Sequence, residues 1–205
     1  MGSVVALDTL LQERRIWRGQ QDLPPTTRQP TGHSGLDAVL PAGGWQAAAV
    51  NELLLPTLGS GELQLLWPTL ARLTLAGERV VLVGPPAIPF PAAWLMAGVT
   101  LSQLSIIQAT GSDALWAAEQ CLRSGSCGAV VSWPERANDR ALRRLQVAAD
   151  SGQTLAFVCR PQAEAVNSSP AAVRLLLELR PPQLRILKCR GGLASAKPVQ
   201  LSGWH

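Results

Sequence analysis

Leu55-Pro56-Thr57-Leu58-Gly59-Ser60-Gly61-Glu62-Leu63 joins an apolar run, residues 47–55, to a stretch with helical spacing, residues 62–76. A strand that passes through a glycine-rich turn into a helix is where an open α/β sheet builds a phosphate site, from backbone amides and the positive end of the helix. A working P-loop ends in Gly-Lys-Ser or Gly-Lys-Thr, whose lysine reaches the outer phosphates and whose hydroxyl binds magnesium. This turn ends in Gly61-Glu62-Leu63. At 4 Å and an effective dielectric of about 20, a carboxylate repels a phosphate charge by about 4 kcal/mol, where lysine would attract it by as much. Leucine cannot ligate a metal. Gly59, Ser60, Gly61, Glu62 and Leu63 therefore read as a degenerate nucleotide loop not expected to bind ATP. A structural turn that never met a nucleotide would look the same from these residues alone.

Outward from this turn, strand-like and helix-like segments alternate. Strands are expected at residues 79–83, 105–109, 129–133 and 154–160, and helices at 112–124 and 137–149. That alternation predicts a mainly parallel sheet flanked by helices. Residues 173–179 and 184–189 are separated only by Arg180-Pro181-Pro182-Gln183, too little for a crossover, so the sheet should end in an antiparallel hairpin. Pro68 falls inside the first crossover helix, where it predicts a kink.

On the amino-terminal side, Val4, Leu7, Leu10, Leu11 and Trp17 recur at helical spacing. A polar, proline-rich stretch, residues 20–30, follows. Residues 1–30 thus read as an amphipathic helix and linker, free to dock on this chain or on a partner, with a core domain over 31–205. Leu7, Leu10, Leu11 and Trp17 are the candidate partner-helix residues. Trp204 is a second candidate anchor, and Trp45, Trp67, Trp94, Trp116 and Trp133 are assigned to the core.

With 47% hydrophobic and 16% charged residues in a 205-residue chain, a substantial core can be buried. The longest apolar runs fall short of the ~20 residues of a membrane span, and the amino terminus lacks the layout of a secretory signal. The expectation is a cytoplasmic protein without a membrane association. Cys121, Cys127, Cys159 and Cys189 form no C-x-x-C pair, and His33 and His205 lie at opposite ends, so neither a metal site nor a disulfide framework is expected.

The net charge of +4 is unevenly placed. After residue 159, Arg160, Arg174, Arg180, Arg185, Lys188, Arg190 and Lys197 stand against Glu164 and Glu178. An anion-binding or partner surface should involve this segment, with Arg174, Arg185, Lys188, Arg190 and Lys197 as candidates; a merely solvated basic face has equal weight. Strict period-two alternation would put Lys188 with Arg190 and place Arg185 on the other face.

The series from Thr31-Gly32-His33-Ser34-Gly35-Leu36-Asp37 through Gly43-Gly44, the loop at 56–63, residues 97–104, the helix 114–125 and residues 129–132 resembles RecA-type recombinases over about residues 31–200. The resemblance implies a RecA-like core. It also implies a metal-orienting aspartate where Ser132 stands and a water-activating glutamate where Pro85-Pro86 stands. With Glu62 and Leu63, every ATPase side chain is missing, so no catalytic residue, cofactor or metal is expected. A short chain of this kind resembles the ImuA family of damage-induced, error-prone translesion synthesis. That resemblance implies a non-catalytic adaptor of the SOS mutasome. Its partners would be an ImuB-type inactive Y-family polymerase-like protein, RecA and, indirectly, an error-prone replicative-type DNA polymerase. The chain is also similar, over part of its length, to SulA, the cell-division inhibitor that binds FtsZ. In RecA the positions matching Lys188 and Arg190 are basic and face the neighbouring subunit across the filament interface, which leaves a second copy of this chain open as a partner. Direct DNA binding should be weak, because the loop after Arg160, residues 161–170, carries no basic or aromatic residue.

Overall fold

In the computed structural model, residues 29–192, 195 and 197–201 are described. The amino-terminal helix residues Leu7, Leu10, Leu11 and Trp17, and Trp204, lie outside them.

A single sheet of eight strands organises the chain: β1 (Val50–Leu55), β2 (Val80–Val83), β3 (Leu104–Ile107), β4 (Ala129–Ser132), β5 (Leu155–Pro161), β6 (Val173–Leu179), β7 (Pro182–Cys189) and β8 (Val199–Gln200). Their order across the sheet is β3-β2-β4-β5-β1-β6-β7-β8. β1 through β6 run parallel, and β7 and β8 are antiparallel to their neighbours. The sheet is therefore a mixed α/β sheet with the expected antiparallel end. The central strands are covered on both faces, every residue of β1, β2 and β4 being buried, including the polar Asn51, Glu52 and Ser132.

The helices are α1 (Ser34–Asp37), α2 (Glu62–Leu75), α3 (Pro91–Met96), α4 (Gly111–Arg123) and α5 (Asp139–Ser151). One core layer packs Leu53, Leu55, Leu82, Val131 and Phe157 against Leu66 and Leu70 of α2, Trp94 of α3 and Trp45. The other packs Val50, Val81, Val130, Ala156 and Val158 against Ala118 and Leu122 of α4 and Leu142, Leu145 and Ala149 of α5. Trp45 meets Phe157 edge to face, with centroids 5.0 Å apart. None of these helices is long and apolar enough to cross a membrane.

α2 continues through Pro68, and the proline ring is also a docking surface: a Cβ on Gly32 would lie 2.2 Å from the Cβ of Pro68, and Gly32 has φ +86°. Around that contact, Thr69 Oγ1 lies within bonding distance of the Pro30 and Thr31 carbonyls and accepts from the Trp45 indole N–H at 2.8 Å. Two expectations are corrected. α5 begins at Asp139, not 137, because the Asn138 side chain caps it by accepting from the Ala141 N–H at 2.9 Å. Trp116, placed in the core by its hydrophobicity, is 62% exposed. α4 fills its inward face with Ala114, Ala117, Ala118 and Leu122, and the indole projects from the other side.

Candidate functional site

The glycine-rich turn leaves the carboxyl end of β1 and enters α2, as expected. Gly59 and Gly61 have φ of +83° and +124°, values that side chains with a Cβ rarely adopt. Glu62, the first residue of α2, does not project toward solvent but is 1% exposed. Its Oε1 accepts from the Gly59 N–H at 2.7 Å and from the Trp133 indole N–H at 2.8 Å. A loop amide, an indole donor and the positive end of a fourteen-residue helix thus converge on a carboxylate. These are the features that hold a phosphate elsewhere, and here the chain supplies the anion itself. The sequence reading anticipated repulsion; the geometry adds occupancy. Oε2 is buried without a partner among the described residues, so the arrangement leaves a cost of about 1–3 kcal/mol uncompensated.

Ser60 Oγ donates to the Thr57 carbonyl and Leu63 packs against the core. Ser132 is buried at the end of β4 and donates to the Phe157 carbonyl at 3.3 Å. Pro86 lies next to Gly59. Leu63 and Pro86 offer a bound phosphate neither a metal ligand nor a base, and the Ser60 and Ser132 hydroxyls are engaged with backbone carbonyls. Beneath the turn, burial first and then the Glu62 carboxylate push the Cys159 thiol well above its ordinary pKa, which keeps it an inert packing group. Among the described residues no cluster of His, Cys, Asp and Glu could hold a metal.

The structure divides the C-terminal basic candidates. Arg174 is buried rather than available to a partner or DNA, which corrects its assignment. Its Nε donates to Glu52 Oε2 at 2.5 Å, and Arg160 Nη1 donates to Glu52 Oε1 at 2.7 Å, around a carboxylate that is fully buried. The two guanidiniums also hold the segment after β5. Arg160 Nη2 donates to Glu164 Oε2 at 2.6 Å, and Arg174 donates to the carbonyls of Glu164 and Asn167, each at 2.9 Å. The loop after Arg160 is thus tied to the sheet.

Arg185, Lys188 and Arg190 are exposed. The β6–β7 register slips between Arg174↔Lys188 and Leu175↔Ile186, leaving an extra residue in β7. That bulge inverts the alternation, so Arg185 joins Lys188 and Arg190 on the outer face instead of opposing them. Arg185 pairs with Glu178 at 2.7 Å, while Lys188 Nζ donates to the neutral Ser169 carbonyl at 2.7 Å. Partial burial first, then Arg190 and Arg174, lower the Lys188 pKa. Lys197 is exposed near the start of β8.

Sequence reasoning missed the cleft of about 380 Å³ between α4 and α5, lined by Trp116, Asp113, Glu119, Arg144 and Leu145. Only the register of α4 exposes Trp116, and hydropathy gives no sign of it.

No protein-family model and no curated protein sequence matches the chain. Among solved structures it is similar to SulA from Pseudomonas aeruginosa, at 32% identity over 56% of this chain and 98% of that one, with a TM-score of 0.48. Over that span the chain is SulA-like.

Proposed function

We propose that this protein is a catalytically silent, RecA-like accessory factor of the SOS response that acts by occupying a surface of another protein. The observation that carries this reading is the Glu62 carboxylate, held by the Gly59 N–H and the Trp133 indole where a nucleotide phosphate would need the same donors. A glycine-rich turn between the carboxyl end of a central parallel strand and a helix supports a RecA-like origin with a degenerate P-loop. With no residue to bind metal or activate water at that turn, its function resides in surfaces.

Two partner classes follow. The entry series from Thr31 and the amino-terminal segment support a mutasome adaptor that binds an ImuB-type polymerase-like protein or RecA. The SulA-like span supports a division inhibitor acting on FtsZ, and it is this second reading that the similarity to SulA favours. The full chain, immobilised, is offered each partner separately, alongside a Lys188→Glu/Arg190→Glu variant and a chain lacking residues 1–30. Retention of the polymerase-like protein or RecA, lost in one of the variants, is the adaptor result. Retention of FtsZ alone, with filamentous cells on overexpression, makes the protein a division inhibitor. Binding to none of the three overturns both.

A further inference from the structure

The chain has two lysines, Lys188 and Lys197, and both are exposed. Lys188 stands directly across from Arg174 in the β6–β7 pairing. The two side chains hold the same segment: Arg174 donates to the carbonyls of Glu164 and Asn167, and Lys188 Nζ donates to that of Ser169 at 2.7 Å. Arg190 follows two residues later on the same outer face, about 7 Å along the strand direction. Its guanidinium has no hydrogen-bond or ion-pair partner among the described residues. A fixed amine therefore sits beside a free guanidinium.

The surroundings bias this amine toward its neutral form. Partial burial first, then Arg190 and Arg174, lower its pKa, and the carboxylates of Glu52 and Asp139 oppose the shift without cancelling it. Those carboxylates are engaged elsewhere, Glu52 by Arg160 and Arg174 and Asp139 by Arg143. A lysine depressed by neighbouring cations is a nucleophile, because more of it carries a lone pair at a given pH. The Ser169 carbonyl accepts one N–H, which leaves that lone pair facing away from the backbone.

We propose that Lys188 is an acylation site for acyl phosphates, with Arg190 holding the phosphoryl end of the donor. Charge and reactivity together select this class, since an acyl phosphate joins an electrophilic carbon to an anion. A guanidinium receives a phosphate through two parallel hydrogen bonds, which brings the adjoining acyl group to the amine. The amine lone pair attacks the acyl carbon and a C–N bond forms. The C–O bond to the phosphoryl group breaks, its electron pair leaving with the phosphate, and the surplus proton on nitrogen passes to water. The product is an uncharged amide. On the reading that this face meets a partner, the amide removes one of its exposed cations; the reaction itself needs no partner, so its failure and the failure of that reading are separate results.

The test treats the full chain at about pH 8 with acetyl phosphate and, separately, with p-nitrophenyl acetate, an uncharged acetyl donor. Peptide mass spectrometry follows both lysines, with Lys197 as the reference in the same sample. Acetyl phosphate should modify Lys188 several times faster than Lys197, and the uncharged ester should show a smaller preference. Arg190→Ala, which replaces an exposed side chain and should leave the fold intact, should abolish the difference between the two donors. Equal rates at the two lysines with acetyl phosphate overturn the proposal. So does an Arg190→Ala chain that keeps the full wild-type preference for acetyl phosphate, because the phosphate would then not be held by that guanidinium.

Discussion

Glu62 places a negative charge at the start of α2 and takes up the Gly59 N–H and the Trp133 indole N–H, which on the proposed reading are the donors a phosphate would need. The two effects predict different outcomes on substitution. Removing the carboxylate in Glu62→Gln keeps an acceptor for Gly59 and Trp133, so the fold should tolerate it. Glu62→Lys buries an ammonium against the Trp133 indole donor and should cost several kcal/mol in a denaturant titration without conferring ATP binding, because Leu63 and Ser132 still offer no metal site. At the other end of the sheet, Lys188 reports on its cationic neighbours. In Arg190→Ala its pKa should rise part of the way back toward the ordinary lysine value, as followed by NMR of the side-chain amine. An unchanged pKa would mean that burial, the larger cause, acts alone. At this scale the chain shows the glycine-rich turn and the acidic residue that follows it, Gly61-Glu62-Leu63. That the carboxylate turns inward could not be read there, because it depends on Trp133, seventy-one positions away.

Among the elements, the buried cluster of Glu52, Arg160 and Arg174 joins three adjacent strands and anchors residues 162–167. Glu52→Leu leaves two buried cations without their carboxylate and should destabilise the protein by about 3–5 kcal/mol, with hydrogen exchange rising first in residues 162–167. Unchanged exchange there would mean that Glu164 alone holds the segment. Gly32→Ala tests the docking of the entry segment on α2. A methyl 2.2 Å from the Pro68 ring, at a φ that alanine avoids, should lower stability by more than about 1 kcal/mol in thermal denaturation. The alternation of strands and helices was legible because each parallel strand is a short apolar run, and each of the longer helices shows a 3.6-residue pattern. Three features were not. α3 is short, uncharged and flanked by prolines, so it has no amphipathic signature. Among the described residues β8 pairs through Gln183↔Gln200 and Leu184↔Val199, too short a stretch for alternation to show. The bulge that realigns Arg185 is set by pairing with β6, which alternation along one strand does not reveal.

Over the whole molecule the surface divides by charge. One edge of the sheet, at β3, is neutral and apolar, and the region around β7 presents Arg185, Lys188 and Arg190. Association with a partner through the basic region should slow as salt is raised, and Lys188→Glu/Arg190→Glu should lower the association rate more than it raises the dissociation rate. Salt-independent rates would place the contact elsewhere. The charge asymmetry was visible as an excess of basic residues after residue 159, but the burial of Arg160 and Arg174 reduces it, and only the fold shows which cations are spent internally. Isothermal titration of the full chain with magnesium-ATP tests most directly the claim that the nucleotide site is filled by the protein itself. No binding into the millimolar range, for the wild type and for Glu62→Lys alike, is the predicted result. Micromolar binding by the wild type would contradict it.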